Sequence, residues 1–371
     1  MLCIVLVYES LSALHYPLRD ADSTLYEAIS RSLKDQPFSQ WAAPLWPAGR
    51  AKQGLFVEHL PFFFWPAAWL YRIGLNQAAL LMNLVYFFLS LYVLFLLATR
   101  LSGQGPGWLA VLLYLVSPLG VQYLLRFNHE NAWTAGFLGA LYCVTELPRG
   151  RAFGIGLVLS LSFVFAIKGI LGLIVFPVAL TWWWLGERRS GDVLFFLAAL
   201  GAILLIAVGQ ELAFRRLTGE NFFQSYLSTQ LEYVAGAERL GPWRRFWNPL
   251  YYVGNLIWFA LPGSLLAAYG AYLSWQRRIR YRGARLVGWS GSIYILLVSI
   301  MTRRAARYIF PLYSLTQLVG AEILWNRFPE VRQLIEKHRR QLPYFLAAVV
   351  LVVFGLRLYA DFHHYRFINI F

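Results

Sequence analysis

The feature that most constrains this chain is a succession of long apolar runs, each closed by charged residues or by Pro and Gly. They cover residues 2–18, 77–99, 107–124, 132–147, 153–167, 170–186, 192–213, 249–274, 286–301, 308–325 and 341–360. A helix needs roughly 17–25 mostly apolar residues to cross a bilayer, and several of these runs lie at the short end of that range. The expected fold class is therefore an all-α polytopic membrane protein with about eleven transmembrane helices. Only 14% of the 371 residues are charged and 59% are hydrophobic, whereas a soluble domain carries about 25% charge. A disordered chain, a disulfide scaffold and most soluble enzymes are excluded.

Residues 1–18 lack the basic start and small-residue cleavage site of a signal peptide. They read as a short first span weakened by Glu9. Cys3 and Cys143 lie in apolar stretches and read as small hydrophobic residues rather than as metal ligands or nucleophiles. Two connections are long, residues 19–60 and 214–248, and long loops of membrane proteins tend to carry function. Phe62–Leu75 is apolar but interrupted by Pro66, and reads as an interfacial or re-entrant helix. The expected organisation is one transmembrane catalytic domain over 1–371, with no separate C-terminal soluble domain.

The chain has 33 Lys and Arg against 18 Asp and Glu, a net charge of +15. In a soluble protein this excess would point to nucleic acid. Here alternating the crossings divides it between two faces. Arg100, Arg149, Arg151, Arg188, Arg189, the run Arg277–Arg285 and the run Arg327–Arg340 fall in short connections on one face. The positive-inside rule places that face in the cytoplasm and both long loops outside. The expected location is the inner membrane of a bacterium, with the long loops toward the periplasm.

The polar groups of interest then gather on the external face. Asp20 and Asp22 follow the first span and precede Tyr26 and a helical-looking stretch, Glu27–Leu33. Two carboxylates at this spacing supply a general base or hold a cation, and equally fit a solvated loop start or helix cap. Glu58-His59 precedes an aromatic run, and Glu130 sits at another span boundary. Each alone fits a solvated helix end, while their convergence on one face favours a site. Lys168 lies between two apolar runs, where it either snorkels to the interface or binds an anion. Arg303, Arg304 and Arg307 crowd a helix start on the same face. Guanidinium groups suit bidentate phosphate binding, and topology alone does not account for them there. Acids able to deprotonate an acceptor, beside cations able to hold a phosphate, suit group transfer from a phosphate-bearing lipid.

These segments, in this order, resemble the membrane glycosyltransferases of the GT-C fold, specifically the protein O-mannosyltransferase-like family (glycosyltransferase family 39), related to the aminoarabinose transferases that modify lipid A. The similar segments are Asp20–Arg31, Glu58–Trp65, Leu109–Leu125 with Ser117-Pro118, Ala166–Gly169, Ala237–Tyr252 and Arg303–Pro311, spread over residues 1–325. The resemblance implies a GT-C bundle whose large first external loop contains juxtamembrane helices. It implies an inverting transferase that takes a sugar, hexose or pentose, from a polyprenyl-phosphate donor. Carried over by position, Asp22 is the catalytic carboxylate with Asp20 beside it. Lys168, Arg303, Arg304 and Arg307 hold the donor phosphate, and Tyr26, Glu58, His59 and Glu130 form the acceptor side or support it. The family's Asp-Glu pair is Asp22-Ser23 here, and Gln230-Leu231 stands where some relatives place a Glu-His pair near a metal. No cofactor is required on this reading, and a divalent metal has no support in the sequence. The expected partners are the polyprenyl-phosphate sugar, a lipid, glycan or protein acceptor and membrane lipids, with no nucleic acid.

A transporter or flippase of lipid-linked sugars would also place an anion site in an apolar bundle. Such proteins show inverted repeats and midplane polar groups; this sequence shows no repeat and keeps its polar groups at one interface.

Overall fold

The computed structural model describes residues 21–46, 54–124, 126–186, 189–235, 246–276, 282–301, 304–345, 347–348, 351–352 and 355. The expected first span, half of the expected last span, Asp20 and Arg303 lie outside the described residues. Among the described residues the ordered elements are helices, apart from an isolated bridge between Leu45 and Leu55.

The first long connection contains α1 (Ala21–Lys34), and a 3-10 turn at Pro61–Phe63 and the short α2 (Trp65–Arg72) follow it. Tyr26, Ile29, Ser30 and Leu33 are the buried face of α1, at the spacing of an amphipathic helix. They pack with Phe63, Phe64, Ala67, Ala68 and Tyr71 into a cluster of their own. Eight residues rise about 12 Å, so α2 cannot cross a bilayer, as the sequence predicts.

The bundle then runs through α3 (Ala78–Ser102), α4 (Gln104–Leu115), α5 (Pro118–Leu124), α6 (His129–Glu146), α7 (Arg151–Lys168), α8 (Val175–Leu185) and α9 (Val193–Thr218). After α10 (Phe222–Ala235) come α11 (Asn248–Phe259), α12 (Gly263–Trp275), α13 (Arg282–Ser299), α14 (Phe310–Arg327) and α15 (Pro329–His338).

Side-chain bonds fix the relative directions of α3, α6, α7 and α8. Asn131, near the start of α6, donates to Asn83, near the start of α3, at 2.9 Å. At the other end Arg100 of α3 pairs with Glu146 of α6. The stretch Arg151–Leu185 is helical over 35 residues, which as a straight rod would be about 52 Å long against a hydrocarbon core of about 30 Å. It is a hairpin instead. Lys168 rises to meet Glu130 at the start of α6, and Trp182 returns to donate to Thr145 at its end, at 2.9 Å. The chain reverses at Gly169 (φ 58°), and Gly172 sits against the Val164 carbonyl. The separate crossings expected at 153–167 and 170–186 are the arms of this hairpin.

Among the described residues, helices of clear spanning length and composition are fewer than the expected crossings. Ala78–Ser102, Arg151–Leu185 and Ser190–Thr218 meet both requirements, and α11 with α12 adds one more if taken together. The run 107–124 is interrupted at Ser117-Pro118, where the Ser117 hydroxyl accepts from the Gly120 amide at 3.1 Å and so caps α5. The run 249–274, read from sequence as one crossing, bends by 116° between α11 and α12. Pro262 lies at the break and has no amide to continue the helix. Just before it, the Ala260 carbonyl accepts from both the Ser264 amide and the Gln317 side chain, each at 2.9 Å. Helix α14 is apolar only on average because protein surrounds it: Phe310–Ile323 is buried throughout, so it presents little surface to lipid.

Candidate active site

The candidate residues that are described meet at one end of the bundle, where α1, the aromatic turn before α2, and the ends of α6, α7 and α13 converge. They form two layers. In the outer layer Asp22, in the first turn of α1, is ion-paired with Arg307, whose Nη1 donates to Oδ2. Both side chains are about a third exposed, at 31% and 30%, so a ligand can reach them.

The inner layer is the pair Lys168 Nζ to Glu130 Oε1, 3.1 Å apart, with the two side chains only 5% and 0% exposed. Lys168 also lies over the Trp133 ring, 5.5 Å from its centroid. Burying two charges is costly unless both are fully hydrogen-bonded. Here Glu130 Oε2 has no hydrogen-bond partner. The sequence assigns Lys168 and Glu130 to different sides of the site; the structure joins them in one ion pair.

Tyr26 connects the layers. It follows Asp22 by one turn of α1, and its ring meets the His129 ring edge-on at 4.5 Å. His129 immediately precedes Glu130 and packs against Phe63 at 4.2 Å and His59 at 4.5 Å. Both ring nitrogens of His129 and Nδ1 of His59 are buried without a hydrogen-bond partner. Burial, and then the nearby Lys168 ammonium, hold the His59 imidazole well below its ordinary value of 6.5, so it is neutral at physiological pH. The Glu58 carbonyl accepts from Gln230 of α10 at 2.9 Å, which ties the second long connection to the first.

Arg304 is set by Asn248, the first residue of α11. Asn248 Nδ2 donates to the Ser299 and Met301 carbonyls at 3.0 and 2.8 Å, and its Oδ1 accepts from Arg304 Nε at 2.7 Å. The guanidinium lies 5.6 Å from the centre of the Tyr251 ring. Sequence reasoning did not find His129, Asn248 or the Gln230 contact. Adjacency to Glu130 is the signal that could have found His129. Nothing local marks Asn248, because its partners follow it by more than 50 positions. Among the described residues no group of His, Cys, Asp and Glu is arranged to hold a metal ion.

This architecture has relatives. Undecaprenyl phosphate-alpha-4-amino-4-deoxy-L-arabinose arabinosyl transferase of Edwardsiella ictaluri is 29% identical over 312 residues, 79% of this chain and 53% of that protein. The chain thus spans about half the length of the curated relative it matches. No family model matches the sequence. The crystal structure of ArnT from Cupriavidus metallidurans bound to undecaprenyl phosphate superposes with a TM-score of 0.70 at 16% identity, over 95% of this chain and 68% of that one. The fold is that of the GT-C membrane glycosyltransferases. The oligosaccharyltransferase of Archaeoglobus fulgidus, in its apo form, has the same GT-C arrangement at a TM-score of 0.55 and 12% identity, covering 97% of this chain and 55% of that one. The present chain is a membrane protein with this GT-C bundle, and α1 and α2 are its juxtamembrane helices.

Proposed function

We propose that the chain is an inverting glycosyltransferase that moves a sugar from a polyprenyl-phosphate donor to an acceptor hydroxyl or amine at the external face of a bacterial inner membrane. The observation that carries this reading is the layered site. A partly exposed carboxylate held by Arg307 stands in front of a buried Lys168–Glu130 pair, with Arg304 at a neighbouring helix start. The relative named above is an arabinosyl transferase named for undecaprenyl phosphate, and a solved GT-C structure is bound to undecaprenyl phosphate. Both support a lipid-phosphate donor; whether the sugar is a pentose or a hexose is left to experiment.

In this reading Asp22 accepts the proton of the acceptor as its oxygen or nitrogen attacks the anomeric carbon. The bond from that carbon to the phosphate oxygen breaks, inverting the centre, and the electron pair leaves with the polyprenyl phosphate. Negative charge then grows on the phosphate, where Lys168, Arg304 and Arg307 stabilise it. Asp20 and Arg303 stand beside Asp22 and Arg304 in sequence and are proposed to assist them. Tyr26, Glu58, His59 and Glu130 shape the acceptor side, with Glu130 also holding Lys168 in place. Polar groups gathered at one end of the bundle fit transfer at an interface better than passage through the midplane.

The test is the Asp22→Asn variant in proteoliposomes with undecaprenyl-phosphate sugars. Transfer should fall by at least about a hundredfold while the thermal midpoint stays within a few degrees of wild type. Wild-type turnover by the folded variant would remove Asp22 from the mechanism. Transport of the lipid-linked sugar between leaflets, without transfer, would favour a flippase.

A further inference from the structure

A cleft of ≈ 940 Å³ lies between α11, α12, α13 and α14 and runs from Arg282 and Arg285, at the far end of the bundle from Asp22, toward Val253 and Leu312 on the side of the candidate site. The bend at Pro262 helps to open it. Helix α12 is pinned to α14, with Gly263 against Gln317 and Gly270 against Ile323, whereas α11 is held at its other end, where Asn248 binds Ser299 and Met301. The walls are apolar, with Ile257, Ala271, Ile295 and Val319 among them. On the α13 wall, Cβ atoms added at Gly288 or Gly291 would meet nothing within 4 Å. Arg282 and Arg285, both exposed, close one end. They lie one turn apart on α13 and therefore side by side.

The end with the two arginines is opposite the candidate active site. Beside them Gly283 packs on Glu322, whose Oε1 accepts from Ser102 at 2.9 Å, and Ser102 ends α3, next to the Arg100–Glu146 pair. From Arg282 to Ile295 the helix rises about 20 Å, a little more than the hydrocarbon depth of one leaflet, about 15 Å. The cleft thus is long enough for an acyl chain that spans one leaflet, with apolar walls and a pair of guanidiniums at headgroup level. Guanidinium pairs suit a phosphodiester. The Glu322 carboxylate beside the two arginines accepts from the Gly283 and Ala284 amides as well as from Ser102, and so caps the start of α13.

We propose that this cleft is a binding site for one anionic glycerophospholipid of the leaflet opposite the active site, with its phosphate on Arg282 and Arg285 and an acyl chain along α13. The proposal does not rest on the transferase reading, because its test measures bound lipid rather than transfer.

The test uses the purified full chain, incubated with equal amounts of phosphatidylglycerol, phosphatidylcholine and undecaprenyl phosphate, and native mass spectrometry of the lipids it retains. Phosphatidylglycerol should be retained about tenfold over phosphatidylcholine. The Arg282→Gln/Arg285→Gln double variant should lose that preference, and Arg304→Gln should keep it. Gly288→Leu, which fills open space without a clash, should lower phosphatidylglycerol retention about tenfold with an unchanged thermal midpoint. Equal retention of the two phospholipids, or a preference indifferent to both the double variant and Gly288→Leu, would overturn the proposal. So would undecaprenyl phosphate taking the place of phosphatidylglycerol with the same dependence on Arg282 and Arg285.

Discussion

Helix α6 carries a buried glutamate at each end, and the two are treated differently. Glu146, at its last turn, has each oxygen within ion-pair distance of an arginine, Oε1 of Arg100 and Oε2 of Arg149, the latter at 2.9 Å, although neither oxygen makes a well-formed hydrogen bond. Glu130, in the first turn, has Oε1 on Lys168 and leaves Oε2 without a hydrogen-bond partner. The first arrangement is a closed clasp whose arginines reach water, with Arg100 28% and Arg149 59% exposed. The second is an open pair in a dry setting, next to imidazole nitrogens that are also unpartnered. The difference is therefore one of charge and water rather than of hydrogen bonds. Two solvent-reaching arginines neutralise Glu146, whereas a single buried lysine faces Glu130 beside unpartnered imidazoles, and such a setting is where function is expected. The comparison separates the end of the molecule that is held from the end that is poised.

Four substitutions or conditions put this contrast at risk. The largest effect is expected for Lys168→Met, which leaves the Glu130 charge buried without its partner. Removing one member of a buried pair costs about 3–5 kcal/mol, so both thermal stability and transfer should collapse. A stable, active Lys168→Met protein would break the contrast. Next, Arg304→Ala should raise the donor KM about tenfold, the worth of one charge-assisted hydrogen bond, while the acceptor KM stays within about twofold. Equal changes in both constants would count against a phosphate role.

At the clasped end, Glu146→Gln should lower the thermal midpoint by roughly 2–6 °C, an effect of about 1–2 kcal/mol. Its arginines can turn to water, so transfer per folded molecule should be unchanged. A specific loss of transfer would show that the two ends are not independent. The smallest effect concerns pH. The His59 imidazole is held below 6.5 in the folded chain, so below that pH the unfolded chain binds more protons than the folded one. Stability should be full above pH 6.5 and decline as pH falls further. His59→Phe should flatten that decline; an unchanged slope in the variant would assign it to other groups.

The apolar runs made the membrane class and most helix positions readable, because hydrophobic length is a local property. Lys168-Gly169 was readable as a break for the same reason, and the hairpin turns there. What stayed hidden was long-range. Glu130 meets Lys168 across 38 positions and Asp22 meets Arg307 across 285, and neither spacing leaves a periodic trace. The sequence placed these residues on one face through topology but not in pairs. It overextended 249–274 because hydropathy does not register that Pro262 removes an amide. His129 was passed over because a histidine beside an acid has no distinctive pattern until its neighbours fold around it.

The reversal at Gly169 also bears on how this chain can vary over time. A methyl group at that position would lie 2.2 Å from the Tyr226 hydroxyl, which itself accepts from the Ile170 amide at 3.0 Å. With φ 58° and ψ −132° the backbone is one that only glycine adopts readily. Position 169 is thus fixed twice, by its own torsion and by a tyrosine from the second long connection. A descendant that reshapes that connection has to keep Tyr226 or find another partner for the Ile170 amide. Variation in the connection is expected to pass around this pair rather than through it.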